Sequence, residues 1–186
     1  MDVFEAITTR RSIRKYKPDP VSDEALNAVL EAALLAPSWK NCQCWHFVVV
    51  KDADIKESVA DCLAAGKSFE NPGKKAVKQA PILIVACAET GKSGMNAGEY
   101  ATDKGDWFMY DTALAMANLS LAARALGLGT VHLGLFDAAK AGEMLGVPEP
   151  FKVVSMTPLG YPDEAPGDVP RKALNEIVSY NAFRLR

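Results

Sequence analysis

Three groups of residues in this chain have types and spacing that chemistry can use. The first is Arg10-Arg11-Ser12-Ile13-Arg14, a dense cation cluster with a hydroxyl in its middle. Guanidinium groups grip phosphate oxygens bidentately, so this segment can act as a phosphate clamp. It can equally be a set of solvated cations complementing the end of a short helix. The second group is Ala36-Pro37-Ser38-Trp39-Lys40-Asn41-Cys42-Gln43-Cys44-Trp45-His46-Phe47. A hydroxyl, two carboxamides and two indoles crowd a junction for which Gly, Pro or Asp would suffice. Ser, Asn and Gln offer donors and acceptors without net charge, which suits a flat heteroaromatic ligand better than a metal or a phosphate. The third group is glycine-rich: Leu126-Gly127-Leu128-Gly129-Thr130-Val131, then Gly160-Tyr161-Pro162 with Pro170-Arg171 downstream.

Other candidates fail on spacing. Gly91-Lys92-Ser93 resembles the end of a phosphate loop, but the position five before Gly91 is Ala86 where that loop needs glycine. Gly127-Leu128-Gly129 follows a helix rather than a strand, and Val131-His132 occupies the place of further glycines, so it reads as a helix C-cap. Cys42-x-Cys44 with His46 nearby invites zinc, yet no second cluster completes a tetrahedron. The two thiols therefore read as small apolar side chains beside a buried strand, and no metal is expected. His132, on an apolar strand, reads as a satisfied core histidine rather than a base.

The elements that must position these groups alternate helix and strand. A short helix over Val3 to Thr9 leads into a basic extended segment, Arg10 to Pro20, kept out of helix by Pro18 and Pro20. Ser22 caps a helix to Ala36 that carries Leu26, Val29, Leu30 and Ala33 on one face. Trp45 to Lys51 is a strand, and Asp52 caps a helix to about Ala65. Gly66 to Lys78 is loop-rich, Pro81 to Ala88 a fully apolar strand, and Glu89 to Gly105 a polar loop able to act as a lid. A long apolar helix spans Trp107 to Leu126. Thr130 to Leu133 is a third strand, Asp137 caps a short helix to Leu145, Val153 to Leu159 is a fourth strand, and Ala173 to Tyr180 a last helix. This order gives an α+β fold, an α/β sandwich around one central sheet.

With 186 residues, one domain over 1–186 is expected. A hydrophobic share of 49% against 24% charged is that of an ordinary globular chain. Net charge is -2 with acids and bases interspersed, so there is no basic stripe for nucleic acid. The acidic start, Asp2-Val3-Phe4-Glu5, does not resemble a signal peptide. The cysteines, Cys42, Cys44, Cys62 and Cys87, lack C-x-x-C spacing and fit reduced thiols in a cytoplasm. Trp107 to Leu126 is long enough to span a bilayer. Asp106, Asp111, Asn118 and Arg124 interrupt it, so no membrane span is expected. Apolar nearly all round, it must be buried on most sides, which points to a dimer interface.

Taken together and in order, the Arg10-Arg11-Ser12-x-Arg14, Ala36-Pro37-Ser38-x-x-Asn41-x-Gln43-x-Trp45, Leu126 to Val131 and Gly160-Tyr161-Pro…Pro170-Arg171 motifs are similar to those of the FMN-dependent nitroreductase family over essentially the full chain. The resemblance implies a mostly antiparallel central sheet flanked by helices. It also implies an intertwined homodimer with one FMN in each of two interface clefts. Carried over, Arg10, Arg11 and Ser12 would contact the FMN phosphate, with Arg171 as a second phosphate-binding base and Arg14 nearer the pyrimidine edge. Ser38, Asn41 and Gln43 would face the partner subunit's flavin, and Asn71 would bond the ring edge. The segment His132-Leu133-Gly134-Leu135 would aim a backbone N–H at flavin N5, so no side chain need act as a catalytic acid.

NADH or NADPH would deliver hydride, and a nitroaromatic, quinone or similar acceptor would then take its place in ping-pong fashion. Within such a family the rivals are ene reduction, dehalogenation and flavin breakdown. Non-catalytic flavin binding and a structural dimer without cofactor stand outside that set. Two departures from the family pattern stand out: Cys44 occupies a usual proline position, and the excursion over Glu89 to Gly105 is short.

Overall fold

The middle of the sheet is β2 (Ile82–Glu89), a strand buried along nearly its whole length. In this computed structural model, which describes residues 1–63 and 71–184, β2 runs antiparallel to β1 (Trp45–Val50) on one side and to β6 (Phe151–Gly160) on the other. The two-residue strand β5 (Gly129–Thr130) pairs with the end of β6, giving the order β1-β2-β6-β5, antiparallel throughout. Strand side chains alternate between faces. Ile82, Ile84 and Ala86 therefore enter one core, with Val29 and Ala33 of α2 (Asp23–Leu34) and Ala115 and Leu119 of α5 (Phe108–Ala125). Leu83, Val85 and Cys87 enter a second core, with Val59 of α3 (Ala53–Ala60), Val77 of α4 (Pro72–Gln79) and Ala141 of α6 (Ala138–Met144). A strand covered on both faces has no polar side, hence its unbroken apolar run.

Side-chain caps set the helix starts. Asp2 accepts from Glu5 N–H at 2.9 Å to open α1 (Val3–Thr9). Ser22, Asp52 and Asp137 do the same for α2, α3 and α6, at 3.1, 2.9 and 3.0 Å to the nearest capped N–H.

Several expectations need correction. Asn71-Pro72-Gly73 begins α4 rather than a loop: Asn71 is an N-cap and Pro72 fits the first helical turn, where its missing N–H costs nothing. Helix α3 stops at Ala60, short of the expected end near Ala65, and residues 64–70, with the first five of the expected Gly66 to Lys78 loop, lie outside the described residues. The third strand is shorter than Thr130 to Leu133, stopping at Thr130 and touching β6 again only at a Leu133–Met156 bridge. The last helix is one turn, α7 (Leu174–Ile177), because no core lies beneath it; Leu174, Ile177 and Tyr180 are all exposed.

Finally, Glu89 to Gly105 is a pinned loop rather than a free lid. It forms a small hairpin, β3 (Met95–Asn96) with β4 (Glu99–Tyr100). The Trp107 indole packs against Trp39 with ring centres 5.7 Å apart. Gly94, at φ +83°, is pressed so close to Gly105 and Trp107 that a Cβ would fall 2.7 Å from each.

Helix α5 buries Ala115, Met116, Leu119 and Ala123 and leaves Met109, Ala113 and Ala117 exposed on its other side. In one chain it is covered on one side only. No helix among the described residues is long and apolar enough to cross a membrane.

Candidate functional site

The separated motifs meet at one junction. After α1 the chain runs beside β5, where Ser12 bridges Thr130 and Ile13 N–H donates to the Thr130 carbonyl at 2.9 Å. Gly129 makes room for this: a Cβ there would stand 2.7 Å from Ile13 Cγ1. Further on, Tyr16 bridges Pro162 and Lys17 N–H donates to Tyr161 at 2.9 Å. Gly160 is required for the same reason as Gly129, since its Cβ would lie 2.6 Å from Pro81 Cδ. Glycines at 129 and 160 are thus packing residues that dock the arginine segment on the sheet.

The junction brings Arg10, Arg11, Ser12, Arg14 and Arg171 around one cleft of about 940 Å³. Arg11 is already engaged. It pairs with the exposed carboxylate of Asp168 and donates to the Thr8 carbonyl at 2.8 Å. Arg10, Arg14 and Arg171 form no ion pair among the described residues. The Arg14 backbone N–H is held by Glu164, which also accepts from Lys15 N–H at 3.2 Å. The Tyr16 hydroxyl donates to the Ile13 carbonyl at 2.6 Å, and burial, reinforced by Glu164, pushes its phenol far above the ordinary range.

A second cleft, about 460 Å³, is lined by His132, Leu133 and Gly134 and by Met109, Ala113 and Ala117 on the open side of α5. His132 is exposed as a residue, correcting the core-histidine expectation. Nearby protein displaces water from its nitrogens, and this effect, followed by the Arg10 charge, holds its pKa below the ordinary histidine value. Its Nδ1 lies 3.2 Å from Thr157 Oγ1. Leu133 N–H is spent on the Met156 carbonyl at 2.8 Å. Gly134 and Leu135 N–H have no such partner among the described residues. Asn71 sits against this segment: its Nδ2 donates to the Leu135 carbonyl at 3.3 Å while its Oδ1 accepts from Gly73 N–H at 2.9 Å.

Ser38, Asn41 and Gln43 occupy a separate tight turn and do not line the arginine cleft of their own chain. Lys40, Asn41 and Gln43 all have positive φ, at 45, 56 and 48°. Such left-handed non-glycine residues persist only where their surroundings enforce them. Here Ser38 Oγ accepts from Gln43 N–H at 3.0 Å and Gln43 Nε2 donates to Asn41 Oδ1 at 3.3 Å. The turn exposes Asn41 and Gln43.

Behind it, the thiols of Cys42 and Cys44 lie 3.4 and 3.9 Å from Oδ2 of Asp111, which is buried in α5. Burial, then Cys42 and Asp111, push the Cys44 thiol up to about 12. His46, the nearby residue of metal-ligating type, stands apart from this cluster and meets Phe151 edge-on at 5.9 Å. Asp111, Ser93 and Asp168 were missed. For Asp111 the signal was available: a carboxylate interrupting an apolar helix marks a buried polar partner as readily as it argues against a membrane span.

The nitroreductase family model matches residues 7–161. A protein of Archaeoglobus fulgidus, provisionally named NADH dehydrogenase/NAD(P)H nitroreductase, is 37% identical over 88% of this chain and 87% of its own. A nitroreductase family protein of Clostridium novyi NT superposes with a TM-score of 0.77 at 31% identity, covering 91% of this chain and 89% of that one. An FMN-dependent nitroreductase of Clostridium difficile R20291 gives 0.78 at 29% identity over 97% of this chain and 99% of that one. With the antiparallel sheet, the docked arginine segment and the match across most of its length, this chain belongs to the nitroreductase family.

Proposed function

We propose that residues 1–186 form a single-domain, homodimeric, FMN-dependent NAD(P)H oxidoreductase that reduces nitroaromatic, quinone or similar acceptors by a ping-pong cycle. The observation that carries this is the convergence of Arg10, Arg11, Ser12, Arg14 and Arg171 on one cleft, with three of the four guanidinium groups free of ion pairs among the described residues. That is a donor set for a phosphate monoester. Bound FMN would supply hydride acceptance and return, chemistry that no side chain here provides.

The chain's own residues bind and orient. Arg10, Arg171 and Ser12 hold the phosphate end, and Arg14 places positive charge toward the pyrimidine edge. Gly134 or Leu135 offers the backbone donor at the reacting face, since Leu133 N–H is already committed to the sheet. Ser38, Asn41 and Gln43, standing away from this cleft, serve the flavin bound mainly by the other subunit. Asn71 orients the Leu135 segment and has one amide hydrogen left for the ring edge. A dimer is further supported by the exposed apolar side chains Phe4, Ile7, Leu35, Met109 and Tyr110. A cytoplasmic setting fits the four free cysteines.

The test is an absorbance spectrum of the purified protein, then anaerobic titration with NADH and NADPH, then turnover with menadione and a nitrofuran. Flavin bleaching by nicotinamide and parallel double-reciprocal plots are expected. Protein that stays colourless with added FMN, or holds FMN that neither nicotinamide reduces, rejects the proposal.

A further inference from the structure

We propose that Cys42, Cys44 and Asp111 form a binding site for a thiophilic divalent cation of the zinc class, separate from the flavin chemistry. Their ligand atoms lie within 4.8 Å of one another, with the two sulfurs 3.4 and 3.9 Å from the same carboxylate oxygen. Tetrahedral zinc with Zn–S of about 2.3 Å and Zn–O of about 2.0 Å sets sulfur and oxygen roughly 3.5 Å apart. The three atoms therefore already stand close to a ligated arrangement.

The fold holds them there from three directions. The left-handed Gln43, fixed through Ser38, turns both thiols to one side as the chain enters β1. Asp111 comes from the first turn of α5. Its Oδ2 also accepts from the fully buried Ser93 hydroxyl at 2.6 Å and from Trp39 N–H at 3.1 Å. Those two donors are the outer partners that orient a metal-bound carboxylate.

Charge does not oppose occupancy: the ammonium of Lys92, near enough to interact with both thiols, is itself paired with Glu89 at 2.8 Å. Among the described residues no lysine or arginine is within ion-pair distance of Asp111. The reaction is M²⁺ + 2 Cys-SH → M(S-Cys)₂ + 2 H⁺, with the protons leaving to solvent. One divalent cation replaces two protons, so the cluster of two sulfurs and one carboxylate carries -1 before and after, and no new net charge is buried. Two thiolates select zinc or cadmium over magnesium and calcium. Cys44 closes the inner side, being 1% exposed, while Cys42 is partly open and leaves a fourth position for water and a path for entry. A bound cation would tie the Ser38 to Cys44 turn to α5 and, through Ser93, to the Glu89 to Gly105 loop.

The test uses the untagged full chain with its native cofactor content, kept reduced, stripped with a chelator and dialysed against zinc chloride. Metal per chain is counted by mass spectrometry, and thiols are counted with a chromogenic reagent under native conditions before and after zinc. One zinc per chain, protection of Cys42 and Cys44 against the reagent, and a thiolate-to-metal ultraviolet band with cadmium are expected. Cys42→Ser should weaken zinc by more than about 100-fold and Ser93→Ala by roughly 10-fold, as for a ligand and an outer partner. The proposal is overturned if the native protein takes up no zinc, if uptake is unchanged in Cys42→Ser, or if zinc leaves both thiols reactive. The first and last outcomes need no variant, so a folding defect cannot obscure them.

Discussion

The cationic cleft makes the most discriminating prediction, because only one end of the ligand should notice it. Arg10 and Arg171 face the same cleft and neither is held in an ion pair among the described residues, whereas Arg11 is tied to Asp168. Replacing Arg10 and Arg171 together with Ala removes two charge-assisted contacts. Each hydrogen bond to a charged group is worth about 1.5–3 kcal/mol. Arg171 is solvent-exposed, so screening puts the pair near the bottom of that range, about 3 kcal/mol in all. At 1.4 kcal/mol per decade this weakens FMN roughly 100-fold. Riboflavin, which lacks the phosphate, should bind the variant and the parent protein equally. The assay is quenching of flavin fluorescence for both ligands at low and high salt, with circular dichroism to show that the fold is intact. FMN affinity unchanged in the double variant, or an equal loss of FMN and riboflavin, refutes the phosphate assignment.

The other predictions concern packing, protonation and assembly. Gly160→Ala drives a Cβ to within 2.6 Å of the Pro81 ring, which cannot rotate away, and should cost about 1–3 kcal/mol in denaturant unfolding; an unchanged midpoint would show that the junction is loose. Ser22→Ala removes the cap on Ala25 N–H and should cost about 1 kcal/mol without affecting flavin binding. His132 is held below its ordinary pKa by desolvation and by Arg10, so the unfolded chain takes up a proton at higher pH than the folded one. Stability from this residue is complete above the ordinary histidine pKa and declines as pH falls through the lowered value. Because an anion at Arg10 offsets the repulsion, inorganic phosphate should raise the His132 pKa in an NMR titration, and a pKa indifferent to phosphate would uncouple the two sites. If the proposed dimer uses the exposed apolar residues of the C-terminal segment, Ile177→Asp with Tyr180→Asp should shift sedimentation toward monomer; an intact dimer would remove this segment from the interface.

The sheet and its layers were legible because β2 carries an unbroken apolar run and because Ser22, Asp52 and Asp137 announce their helices. Asn71-Pro72-Gly73 misled because the same three residues suit a turn and a helix start, and burial of Ala76 and Val77 decided between them. The last helix was overextended because a periodic pattern does not reveal whether a core lies beneath it. At the site, the arginines could be read from residue type alone. Their meeting with Arg171 depended on Gly129 and Gly160, whose role is the space they leave for Ile13, Pro81 and Tyr16. Asp168 could not be read: one exposed acid in a Pro/Gly-rich loop carries no periodic or spacing signal, yet it neutralises Arg11. Nor could the alliance of Asp111 with Cys42 and Cys44, which lie 69 and 67 positions away in sequence.

The two halves of the proposed cleft are built to different standards of rigidity for a common reason. The arginine segment is fixed by backbone pairing to Thr130 and Tyr161, while the Arg10 and Arg14 guanidinium groups, unlike that of Arg11, are held in no ion pair among the described residues. The Ser38 to Gln43 turn is fixed more tightly still, with three non-glycine residues in left-handed conformations. Phosphate oxygens are many and rotate, so flexible cations on a firm backbone can find them. A flat ring offers donors and acceptors only along its edge, and small neutral side chains must already point the right way. On the proposed flavin role, strain at Lys40, Asn41 and Gln43 would be the cost of aiming those groups before any ligand arrives. The bonds from Trp39, Cys42 and Cys44 to the buried Asp111 help to hold the strained turn in place. Asp111 supports the ring end of the cleft as Gly129 and Gly160 support the phosphate end, and none of the three needs to touch the ligand.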